Sequence, residues 1–344
     1  MKIIYLFVLT LLLINIVKSH PFYYHNLKLI NNKVSKNNIF VLKSNQNNKI
    51  ISKINSLKKL TRFNNVLPTL FLTFSGGWIM NPSLNNLLNS YQFLTTNIIS
   101  LLIMLLSMVL NDLFDVELDK INNPSRPLIT GEITEKEAIS ISLLFIFLIN
   151  YLTRTYLSIN LQVITNYMLI GITIYTPFFK RLTFIKNLYC AFTVSFSIFY
   201  TGLASLQNIN YKNINYKILL ITISYIFFGS LINELLLDIK DIKGDKKNNI
   251  ITVPVLIGKK NTLILINLLL YFSIISNTIT LIKLYHNFFI GYIPILIFIP
   301  MIININKIWK TNYSSENIDY FLKNTTIPMF LLLLYMCILS YIQK

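Results

Sequence analysis

Nine times in 344 residues the chain runs apolar for about 15 to 22 residues, which leaves few ways for it to fold. As a helix, such a run crosses the hydrocarbon core of a bilayer with its backbone groups satisfying one another. The runs are Val66 to Met80, Thr95 to Leu110, Ala138 to Leu157, Ile159 to Phe179, Asn187 to Leu206, Ile218 to Leu237, Thr262 to Ile282, Phe288 to Ile305 and Thr325 to Ile342. Hydrophobic residues make up 54% of the chain and charged residues 13%, with mean hydropathy +0.57. These features predict an all-α, polytopic membrane protein: a bundle of nine transmembrane helices.

Loop charge tests that count. With nine crossings, the loops after the second, fourth, sixth and eighth runs share a side and hold fifteen Lys and Arg, from Lys120 to Lys323. The other side holds five: Arg154, Lys212, Lys217, Lys283 and Lys344. Basic residues concentrate on one face of polytopic proteins, and a missed crossing in the middle would scramble the split. The net charge of +18 therefore reads as loop asymmetry and targeting, and the lysines build no continuous face for nucleic acid. Two cysteines, Cys190 and Cys337, lie inside apolar runs without CxxC spacing, and three scattered histidines offer no ligand cluster.

The first 63 residues form no part of the bundle in this reading. Lys2 and the apolar stretch Ile3 to Val17, closed by "VKS", read as a signal peptide over residues 1–19. Residues 20–63 carry nine basic side chains, much Asn and Ser and no acid, the composition of a disordered transit segment. The pair resembles the two-part address of a complex plastid. An ordinary secretory signal followed by an Asn/Lys-rich tail is the alternative.

Acids are scarce, and their placement is informative. Of thirteen, seven fall between Asp112 and Glu137 and four between Glu234 and Asp245, each group beginning where an even-numbered run ends. Within them Asp112, Asp115 and Asp119 repeat the i, i+3, i+7 spacing of Asp238, Asp241 and Asp245, and Asn111 and Asn233 precede them. On a helix that spacing makes one stripe. Carboxylates about 6 Å apart repel by roughly 3 kcal/mol at an effective dielectric of 20, so six converging on one side need a counter-charge. Mg²⁺ suits all-oxygen donors and bridges to phosphate. Solvated helix ends are the plain alternative, and they account poorly for two matched triads that hold six of seven aspartates.

These motifs resemble those of the UbiA-type intramembrane prenyltransferase superfamily. The resembling stretches are Asn111-Asp112-x-x-Asp115-x-x-x-Asp119 with "INNPSRPLITGEIT" after it, "YTPFFKRLTFIKN", and Asp238-x-x-Asp241-x-x-x-Asp245 with Gly244. The resemblance covers residues 64–344. It implies transfer of a polyprenyl group from its diphosphate to a lipophilic acceptor, with Mg²⁺ as cofactor and the lipid bilayer as setting. By it, Asn111, Asp112, Asp115, Asp119, Asp238, Asp241 and Asp245 are metal ligands, Asp112 either direct or behind the others. Arg126, Thr176, Lys180, Arg181 and Lys240 become diphosphate contacts. Tyr175 becomes the aromatic face for an allylic cation, with Asp115 and Asp241 as the paired catalytic carboxylates.

Thr176 stands where the family has Ser. Leu237 stands where many members have Lys, which passes one diphosphate contact to Lys240, Lys243 or Lys246. Lys186 reads as loop charge. An aromatic quinone precursor is the first-choice acceptor, with a tetrapyrrole and the glycerol-phosphate ether-lipid branch as alternatives; a haem farnesyltransferase fits less well. A transporter or non-catalytic lipid-binding scaffold is the reading from another class.

Overall fold

The computed structural model describes residues 51–175, 178–179, 182–206, 213–247 and 250–343, which belong to one compact unit. Among them all regular structure is helical. After a helical stretch at residues 51–60 come α1 (Val66–Met80), α2 (Leu84–Asn89), α3 (Tyr91–Phe114), α4 (Val116–Asn122), α5 (Glu135–Tyr156) and α6 (Ile159–Tyr175). Then follow α7 (Ile185–Ala204), α8 (Ile214–Lys247), α9 (Val253–Tyr285), α10 (Phe288–Lys310), α11 (Ser315–Asn324) and α12 (Thr326–Ile342).

Among the described residues, six helical segments are long and apolar enough to cross a membrane: α3, α5, α8, α9, α10 and the joined Ser315–Ile342. Each of the nine expected runs overlaps a helix, but α1 at 15 residues and α6 at 17 are shorter than these, and the 20-residue α7 is not among them, so length and composition support six or more crossings. The apolar helices close a cycle of neighbours, α1–α3–α5–α6–α7–α8–α9–α10–α12 and back to α1. Within it α8 also touches α1, α4, α11 and α12, which makes it the hub.

Between apolar helices in lipid, close backbone approach replaces the hydrophobic drive. Gly76 provides it on α1: a Cβ there would overlap the Ile198 carbonyl and come within 2.6 Å of Thr201 Oγ1 on α7. Thr201 seals the contact by donating to the Thr73 carbonyl at 2.7 Å.

Two expectations change here. The first aspartate triad does not ride one straight helix, because Asp115 (φ −98°, ψ 9°) leaves helical geometry and separates α3 from α4. The hydrogen bonds from Asp115 N to Asn111 O (3.0 Å) and from Asp119 N to Asp115 O (2.7 Å) cross the break, so the stripe bends without scattering. The folded body also starts earlier than residue 64. Residues 51–60 are helical, and Leu57 and Leu60 pack against Val109, Ile133 and Ala138. Lys53 pairs with Glu137 at 2.7 Å, and the Ser56 hydroxyl donates to Glu132 at 2.6 Å. The expected signal peptide and most of the expected transit segment lie outside the described residues.

Candidate functional site

The site is assembled where α3, α4, α7 and α8 end on one side of the bundle. Prolines and a turn after α4 bring Arg126 back over it: Pro124 and Pro127 cannot extend the helix, and Arg126 N bonds Asn123 O at 3.1 Å. One guanidinium nitrogen then donates to both Asp112 Oδ1 and Asp119 Oδ2, each at 2.5 Å. Arg62 reaches the same Asp112 oxygen at 3.3 Å, and Asn123 holds the other Asp119 oxygen at 3.3 Å. Burial outweighs Arg126 and pushes the Asp119 carboxyl up to about 6, with Asp115 and Asp112 adding repulsion.

The second triad rides the unbroken α8, as its spacing predicts. Asp238 and Asp245 are buried and Asp241 is exposed. From α7, Lys186 Nζ lies 2.6 Å from Asp238 Oδ1, and the Asn187 amide donates to Oδ2 at 3.0 Å. Thr252, at the start of α9, donates to Asp245 at 3.2 Å.

The two triads face each other. Gly244 of α8 packs directly on the Asn122 side chain of α4, and Asp241 lies within electrostatic reach of both Arg126 and Lys186. Two basic side chains of the chain itself, Arg126 and Lys186, thus supply counter-charge that the sequence reading assigned to metal alone. Among the described residues, no three carboxylate, His or Cys side chains close around a point as a ready metal cage.

The remaining candidates divide. Tyr175 ends α6, with its ring stacked on Tyr189 at 4.8 Å and its hydroxyl 3.0 Å from Cys190 Sγ, within electrostatic reach of Asp115. Asn111 is half-buried beside Asp112. Lys240 pairs with Asp319 of α11 at 2.7 Å and also lies within electrostatic reach of Asp241. Lys243 and Lys246 are exposed on α8. Thr176, Lys180 and Arg181 lie outside the described residues.

Sequence reasoning missed Arg62, filed with the disordered segment, and misread Lys186 as loop charge. The vacancy left by Leu237 was the available signal for Lys186. For the helix that leads into Arg62 it was the i, i+3 apolar spacing of Ile51, Ile54, Leu57 and Leu60.

The model of the UbiA prenyltransferase family matches residues 69–334. The chain belongs to the UbiA prenyltransferase family. It is a membrane-embedded prenyltransferase whose family match spans α1 through α12. The digeranylgeranylglyceryl phosphate synthase of Saccharolobus solfataricus is 34% identical over 201 residues, 57% of this chain and 67% of that protein. The protein of the same name from Methanosphaera stadtmanae is 30% identical over 222 residues, 64% of this chain and 77% of that one. The UbiA homologue from Archaeoglobus fulgidus bound to DMAPP and Mg²⁺ superposes with a TM-score of 0.60 at 19% identity, covering 83% of this chain and 99% of the homologue. That likeness fixes the UbiA fold. These relatives are archaeal and lend the plastid address no support.

Proposed function

We propose that this chain transfers a polyprenyl group from its diphosphate, with Mg²⁺, to a glyceryl phosphate lipid that retains a free hydroxyl. The observation that carries the acceptor is the shared name of the curated relatives, digeranylgeranylglyceryl phosphate synthase. The ether-lipid branch, an alternative in the sequence reading, thereby displaces the aromatic quinone precursor as first choice. In the reaction the C–O bond to diphosphate breaks, a carbon–oxygen bond to the glyceryl hydroxyl forms, and the hydroxyl proton is released.

Mg²⁺ fits the donors at hand. It takes one or two carboxylates per ion and completes its shell from phosphate and water, so an open, all-oxygen set suits it better than a closed cage. Two ions would share this set, held between Asn111, Asp115 and Asp119 on one side and Asp238, Asp241 and Asp245 on the other. When bound they offset charge gathering on the departing diphosphate.

Asp112 is better used otherwise. Its Oδ1 accepts from both Arg62 and Arg126, which makes it the anchor that aims Arg126. Arg126 then presents its remaining donors to phosphate oxygens, where the planar fork gives directional grip. Tyr175, backed by Tyr189, offers an aromatic surface to the allylic carbon as its bond to oxygen lengthens.

The test is the mass of the product. Purified protein with Mg²⁺ and geranylgeranyl diphosphate is offered a mono-prenylated glyceryl phosphate, homogentisate and a chlorophyllide in parallel. A prenyl ether of the glyceryl phosphate is expected, lost with EDTA and in Asp115→Ala and Asp241→Ala proteins that still accumulate. A prenylated ring or tetrapyrrole would overturn the acceptor. Ion flux without any bond cleavage would point to the transporter reading.

A further inference from the structure

Both oxygens of Asp238 are already engaged. Lys186 holds Oδ1 at 2.6 Å and Asn187 holds Oδ2 at 3.0 Å, so a cation that takes this carboxylate comes up against the Lys186 ammonium, and like charges that close repel. The two differ in how free they are to leave. Asn187 is fully buried, and its short amide is fixed by the start of α7. Lys186 keeps 15% of its side chain exposed and hangs on a four-carbon stem.

The local backbone is arranged for this grip. Phe184, the residue before α7, sits at φ 65° and ψ −35°, a conformation a bulky side chain rarely accepts. That turn sets α7 so that two consecutive residues reach the same carboxylate, although neighbours on a helix point in different directions. Lys186 also lies within electrostatic reach of Asp245 and Glu234. It is the ammonium in direct contact with Asp238, where Leu237 brings no charge and Lys240, within electrostatic reach of Asp241, is paired with Asp319.

Resting on the Mg²⁺ and diphosphate reading above, we infer that Lys186 is an exchangeable counter-ion of the second triad. Without metal it neutralises Asp238, which would otherwise be a buried, unpaired carboxylate. When metal takes the carboxylate, the ammonium is repelled from the ion and finds a new partner in a diphosphate oxygen. One side chain thus opposes bare metal and assists the loaded substrate, and those two effects carry opposite signs.

The sign is what an experiment reads. Purified full-length protein in detergent is titrated with Mn²⁺ alone, and free Mn²⁺ is followed by electron paramagnetic resonance. Lys186→Gln removes the like charge beside the ion and should tighten Mn²⁺ binding about tenfold. In saturating Mg²⁺ the same variant should raise KM for the prenyl diphosphate by about tenfold or more, from one lost charged hydrogen bond. Lys186→Arg grips a carboxylate through two bonds and should weaken Mn²⁺ binding, which keeps the test decisive if the Gln variant fails to accumulate. Mn²⁺ affinity that falls or holds still in Lys186→Gln, or holds still in Lys186→Arg, overturns the inference. So does an unchanged KM. The Mn²⁺ titration contains no acceptor, so its failure leaves the glyceryl phosphate assignment standing, whereas a different product mass would sink that assignment and leave the exchange intact.

Discussion

Arg126 stands between Asp112 and Asp119 with one nitrogen 2.5 Å from each, and both carboxylates are only 3% exposed. Removing one partner of a buried pair costs about 3–5 kcal/mol, here nearer 2–3 because the guanidinium is 20% exposed and Arg62 still reaches Asp112. Arg126→Gln should therefore lower the thermal unfolding midpoint of the metal-free protein at neutral pH. Asp112→Asn in the same chain should recover part of the loss. Asp119 adds a pH dependence. Its carboxyl is raised from 3.8 to about 6, so the fold favours the protonated form. The stability this contributes is complete below about pH 4 and is lost as pH rises through about 6. Metal needs the ionised form and reverses the trend. Stabilisation by Mg²⁺, read as a shift in unfolding midpoint, should be large at pH 7.5 and small at pH 5, with the slope flattened in Asp119→Asn.

At the scale of elements, the hinge of the site is the crossing of α4 and α8. A Cβ on Gly244 would come within 2.7 Å of Asn122 Cγ, so the two helices meet through a residue that has none. Alanine in a helix gains up to about 1 kcal/mol over glycine, while overpacking costs about 1–3 kcal/mol, so the clash wins or at best breaks even. The larger effect should be on activity, because relief that rotation of the Asn122 side chain does not absorb moves α4 and Asp119 away from α8. Gly244→Ala should slow turnover by about tenfold with little change in unfolding midpoint, and Asn122→Ala should restore most of the rate, since mutations in contact are not additive. How legible such elements were depended on continuity. The Asp238, Asp241 and Asp245 stripe could be read from spacing because α8 is unbroken, whereas the matching spacing in the first triad concealed a break at Asp115 that no residue type announces. Only the vacancy at Leu237 hinted at Lys186, because its role depends on where α7 starts against α8. The start of α5 was open to reading: Thr134 and Glu137 carry the capping-box spacing, and both of its hydrogen bonds form.

Across the whole molecule, the apolar runs announced a helical membrane protein, and the motif order placed it among prenyltransferases. Both readings hold because they rest on length, hydropathy and residue type, which survive local irregularity. The count of crossings was less secure: α1 and α6 are short, and small residues such as Gly76 let helices pack without the length that hydropathy measures. The helix at residues 51–60 was lost in an Asn- and Lys-rich background, yet it is clipped to the α5 entrance by Lys53, Ser56 and Leu60, and it ends beside the arginine that reaches Asp112. This attachment makes the segment from Ile51 part of the working fold: a cut in the chain beyond Ile51 would cast off the strap and take the Arg62 guanidinium out of register with Asp112.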